Sequence, residues 1–117
     1  MIIDKELITK MPYIEVKKTV DLYNELKKIV GDGRFVAMQC GEEWLIFFLR
    51  DYHLYEPGED IHPILEPVVR VKVGRQIVTR AINWANRDLM IEEHNRLGHR
   101  MEKNLLEALR IVEKRGE

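Results

Sequence analysis

Four side chains in the C-terminal third of the chain share a spacing suited to recognition. Gln76, Arg80, Asn83 and Arg87 follow one another at intervals of four, three and four residues, which puts them on one face of a helix. All four donate hydrogen bonds and none is acidic. Arginine, asparagine and glutamine reach base edges bidentately in a major groove, and Arg75, Arg96 and Arg100 would add phosphate contacts. Against a nucleic-acid reading stands a net charge of −1, where nucleic-acid binders show a basic balance. No helix-turn-helix spacing accompanies the stripe. The competing reading is a solvated face whose arginines pair with an acidic loop upstream.

That loop holds Asp51, His53, Glu56, Glu59, Asp60, His62 and Glu66. A metal needs several such donors converging at about 2 Å, and their spacing here matches neither a zinc-helix motif nor a calcium loop. His94 and His99 are five residues apart and do not share a helix face. His99 and Glu102 are three apart, but a second such pair is missing. No metal and no cofactor are expected. Cys40 stands beside Gly41 at a predicted turn. A nucleophilic thiol needs a base and a lowered pKa, and nothing in the sequence places a histidine beside it. The plainer reading is a small buried hydrophobe. The chain contains no serine, so serine-nucleophile chemistry is excluded. Gly31-Asp32-Gly33 precedes a strand, whereas a dinucleotide loop follows a strand and opens a helix. Catalysis is the least favoured class.

Composition sets the frame for these residues. A chain of 117 residues with 45% hydrophobic and 33% charged side chains suits one folded domain, 1–117. Charge is unevenly spread. Residues 42–67 hold one arginine against seven acids, and residues 68–103 hold eight basic residues against four acids, so the two segments could neutralise each other within the fold or between subunits. A single cysteine allows no internal disulfide and fits a reducing compartment. The first ten residues lack the order of a secretion signal. The longest apolar run, Trp44 to Leu49, is too short to span a bilayer. A cytoplasmic protein with no membrane association is expected. Abundant Lys, Glu and Ile beside only two glutamines suggest thermophile composition.

The elements follow from periodicity. Asp4 is placed to cap a short turn over 5–10, which Pro12 would stop. Val16, Val20, Tyr23, Leu26 and Val30 form a helical stripe, which predicts a helix over 15–30, ended by Gly31-Asp32-Gly33. Arg34–Gln39 and Glu43–Arg50 flank a Cys40-Gly41-Glu42 turn and read as a hairpin. The second strand, WLIFFL, is apolar on both faces and so is expected at the centre of the sheet. Val68–Val73 reads as a third strand, half solvated or at an edge. A helix over 75–85 buries Ile77, Val78, Ala81, Ile82 and Ala85. Beyond it the apolar phase slips, which predicts a break near 86–88 with Asn86 or Asp88 as a new cap.

The last helix carries the association argument. Ile91, His94, Gly98, Met101, Leu105, Ala108 and Val112 alternate at three–four spacing like a coiled-coil seam, and Leu97, Leu106, Leu109 and Ile111 widen it. Such a helix runs about 40 Å at 1.5 Å per residue, more than a short sheet covers, so a symmetric dimer is expected to cover the rest. Ile91, Leu97, Met101, Leu105, Ala108 and Val112 are the candidate interface. The expected fold is α+β: an N-terminal helix, a three-stranded antiparallel sheet and two C-terminal helices, the last one long. The expected function is a non-catalytic interaction module (adaptor, regulator or assembly factor) acting as a homo-oligomer, with a further protein partner. The alternative is a nucleic-acid-binding accessory protein using the helix face at 75–87.

Overall fold

The hairpin is the core of the molecule. The computed structural model describes residues 5–115, the side chains at 62, 97–106 and 112–115 excepted. Strand β1 (Gly33–Cys40) pairs antiparallel with β2 (Glu43–Arg50), and β2 pairs antiparallel with β3 (Glu66–Val71), so β2 is central. The hairpin closes through Gly41 at φ 62, the first of two central positions, where turns that match strand twist favour glycine. Gly33 opens β1 for a different reason. A Cβ there would collide with the Leu49 carbonyl and the Phe48 ring, so it provides a close approach of strands as well as the end of the preceding segment. β3 begins two residues earlier than its valines suggest. Its register shifts between Ile46 and Phe47 of β2, beside Pro67, which lacks an N–H for a regular ladder.

Both faces of β2 are buried, as its composition predicts. Ile46 and Phe48 join Phe35, Val69 and Val71 in the larger core, beneath Leu22 and Leu26 of α2 (Thr19–Leu26) and Val78, Ala81 and Ala85 of α3 (Arg75–Arg115). Leu45 and Phe47 face the opposite side, under Met11 and the partly buried Leu7 and Ile8 of α1 (Lys5–Lys10). α2 and α3 share a face, and the short α1 covers the other.

Three helix boundaries differ from their periodicity, the first being the end of α2, at Leu26 with Lys27 as its C-cap and short of the expected 30. α2 starts at Thr19, not near Glu15, because the chain before it is committed elsewhere. Arg70 N–H donates to the Pro12 carbonyl at 2.8 Å and Ile14 N–H to the Arg70 carbonyl at 3.0 Å, so residues 12–14 run beside β3. Asp21 then accepts from the Lys18 N–H at 3.2 Å, which satisfies one donor of the helix start. The predicted break at 86–88 is absent, and one helix of 41 residues stands where two were expected. The phase of the apolar stripe changes because the sheet beneath the helix ends there. Asn86 caps no helix. Its amide Oδ1 accepts from the Phe35 N–H at 2.7 Å and its Nδ2 donates to the Phe35 carbonyl at 3.1 Å, stapling α3 to the outer edge of β1.

A helix of this length measures about 60 Å, close to the longest molecular dimension of 67 Å. The radius of gyration, 19.2 Å, far exceeds the roughly 13 Å of a compact chain this size. α3 overhangs its own sheet.

Candidate interaction surfaces on helix α3

The inner part of α3 presents two faces. Val78, Ala81 and Ala85 point into the core, and small side chains let the helix lie close on the sheet. Gln76, Arg80, Asn83 and Arg87 are all exposed on the other side, with Arg75 and Thr79. Among the described residues, none of Arg75, Arg80 and Arg87 enters an ion pair. The expected neutralisation of this stripe by the acidic loop is not seen. The Glu59 carboxylate accepts from the Glu56 N–H at 3.2 Å. Glu66 is held by Arg50 of β2 at 2.9 Å, and that guanidinium keeps its carboxyl below the usual carboxylate range. Glu59 and Glu66 thus bond to groups other than the stripe.

Arg96 and Glu93 serve the junction between α3 and β1. Arg96 bonds to Asp32, and Arg34 reaches Glu93 at 3.1 Å, so Arg96 is not a free phosphate contact. The side chain of Arg100 lies outside the described residues.

Stripe counting misses Trp84 and Met90, since neither falls on the inward phase. Trp84 is 42% exposed and meets Tyr23 of α2 edge-on, with ring centroids 5.7 Å apart. The Tyr23 hydroxyl donates to the Asp88 carboxylate. That bond, with burial, raises the phenol pKa above its ordinary value. Lys27 lies over the same ring at 4.9 Å. Next to them a groove of about 390 Å³ opens between α2 and α3, floored by Leu26, Ile29, Phe35 and Leu89, with Asp88 and Glu92 among its lining carboxylates. It offers an apolar floor and charged rims.

Further along, Met90 is 53% exposed, Ile91 45%, Leu109 49% and Ile111 54%. Met90, Ile91, His94 and Asn95 border a second hollow of about 250 Å³. Of the six candidate interface residues, Ile91 and Ala108 are exposed. Leu97, Met101, Leu105 and Val112 have side chains outside the described residues.

The remaining chemistry is sparse. Cys40 is exposed at the hairpin tip, not buried as a lone strand-end cysteine would be, because β1 is an edge strand and its last residue has no cover. His53 lies 3.9 Å from Glu93. Among the described residues no group of three histidine, cysteine or carboxylate side chains is placed to hold a metal, and no helix is long and apolar enough to cross a membrane. The side chains of His62, His99 and Glu102 are not among those described. No protein family, curated protein or solved structure matches the chain.

Proposed function

We propose that the chain is a non-catalytic interaction module, an adaptor, regulator or assembly factor of the cytoplasm, that works as a homo-oligomer through the outer part of α3. One observation carries the reading. Met90, Ile91, Leu109 and Ile111 are large apolar side chains left about half exposed on a helix that overhangs its sheet. Large exposed apolar side chains of this kind mark an interaction site, and a helix presenting the same apolar positions in every copy suits a two-fold contact. The free Cys40 thiol agrees with a reducing compartment. Sedimentation equilibrium across the micromolar range tests the reading. The expected mass exceeds the 13.9 kDa of one chain, and a single-chain mass throughout overturns it.

The uncovered arginine stripe favours a second reading, binding of nucleic acid along Gln76, Arg80, Asn83 and Arg87. Phosphate contacts make such binding salt-dependent. An anisotropy titration against mixed-sequence DNA and RNA decides between the two. Submicromolar affinity at about 150 mM salt, weakened by Arg80→Ala, would replace the first reading with the second.

A further inference from the structure

The two edges of the sheet are treated differently. The β3 edge is guarded: residues 12–14 run along it, the Arg70 N–H and carbonyl are both paired with that segment, and Pro67 interrupts the strand. Among the described residues, the β1 edge carries no such cover past Phe35. From Phe35 to Gly41 the strand reads FVAMQCG, with no charge and no proline. Proteins blunt open edges with lysine, proline or a covering segment, and here these devices are absent.

The hydrogen-bond pattern states which groups are free. Asn86 takes the Phe35 N–H and carbonyl, and the Asp32 carbonyl accepts from Asp51 N–H on the β2 side at 2.8 Å. Even-numbered residues of β1 therefore bond to β2, and odd-numbered ones point outward, since an antiparallel ladder alternates. Phe35 is occupied and Gly41 begins the turn. Among the described residues, nothing bonds to the N–H groups of Ala37 and Gln39.

We infer that this edge pairs with β1 of a second copy, antiparallel, with the two-fold axis at Met38. The inference rests on the self-association proposed above and assigns it a second surface. In this register Ala37 of each copy faces Gln39 of the other, and the two pairs exchange four backbone hydrogen bonds. It is the two-fold register that uses each of the four free N–H and carbonyl groups and requires nothing of Phe35. The position beside Phe35 and Asn86 falls to Gly41 of the second copy, where that strand already turns away, so the staple stays intact. Charge agrees. The paired stretches are neutral. Val36 and Met38, half-buried in the single chain, gain apolar neighbours across the axis.

Met38 meets its own copy as a non-hydrogen-bonded pair, with Cα atoms about 4.5 Å apart, inside the roughly 4.4–6.8 Å that a disulfide spans. The test is Met38→Cys in a Cys40→Ala background, oxidised mildly and read on a non-reducing gel, with light scattering on the wild type. A cross-linked dimer as the main species is expected. Adding Ala37→Pro removes an outward N–H that β2 does not use, and should abolish the cross-link while the far-UV circular dichroism is unchanged. An oligomeric wild type combined with a Met38→Cys variant whose thiol stays free overturns the edge pairing and leaves the α3 reading standing. A monomeric wild type overturns both. A cross-link that survives Ala37→Pro in a folded protein overturns the hydrogen-bonded register.

Discussion

α3 is one helix with two environments, and the contrast between them organises the molecule. Up to Ala85 its most inward side chains, Val78, Ala81 and Ala85, are small and fully covered, with Ile77 and Ile82 partly buried beside them. From residue 107 to 111 every described side chain is exposed, leucine and isoleucine included. The backbone does not change between the two, and no proline intervenes. What changes is the surface beneath. An apolar stripe on a helix thus reports that some surface is meant to cover it, and leaves open whether that surface belongs to the same chain.

The strongest way to break the contrast is to hollow out the covered side. Ile46→Ala, beneath α2 and α3, should cost about 2–5 kcal/mol in a urea melt, and Phe47→Ala on the α1 face about 3–5 kcal/mol. A nearly neutral result at either position would show that its face is open. Asn86 marks the boundary between the two environments. Asn86→Ala leaves the Phe35 N–H and carbonyl unpaired in a half-buried setting and should cost about 1–3 kcal/mol. If it proves neutral, the staple contributes nothing and α3 is held by its core residues alone.

Smaller effects sharpen the picture. The Glu66 carboxyl is depressed by its bond to Arg50, so its contribution is full above the ordinary carboxylate range and is lost as pH falls through the lower folded value. Both partners are more than two-fifths exposed, so the effect should stay within about 1 kcal/mol. Glu66→Gln should flatten acid unfolding in that range, and an unchanged acid profile contradicts it. On the uncovered side, Leu109→Ala should change the stability of the individual fold by less than about 0.5 kcal/mol. A loss comparable to Ile46→Ala, at a dilution where subunits separate, would place Leu109 against the chain's own core.

The sheet is legible in the sequence because its signals are local. WLIFFL is short, rich in aromatic residues and preceded by a turn signal, which reads as a strand covered twice, and Gly41 sits where a hairpin needs it. Misreadings come from contacts between distant residues. Asn86 resembles a helix cap until Phe35, 51 positions earlier, is known to be its partner. Val16 continues a helical stripe, yet residues 12–14 are drawn out beside Arg70. The pairing expected between Arg80 and loop carboxylates such as Glu56, Glu59 or Asp60 is not seen among the described residues either: the Glu59 carboxylate accepts from the Glu56 N–H instead. Trp84, off the inward phase of α3, is visible in the sequence as an apolar residue on the polar side.

The claim that the outer part of α3 is an interface is tested most directly by light scattering on wild type and on Leu109→Glu/Ile111→Glu. Positions 109 and 111 project from opposite sides of the helix, so whichever side the contact covers receives a buried carboxylate, strongly unfavourable in an apolar contact, whereas on a solvated helix the two changes do nothing. The account predicts a wild-type mass above 13.9 kDa and a smaller mass for the double variant, with circular dichroism unchanged. Equal masses for the two proteins would contradict it.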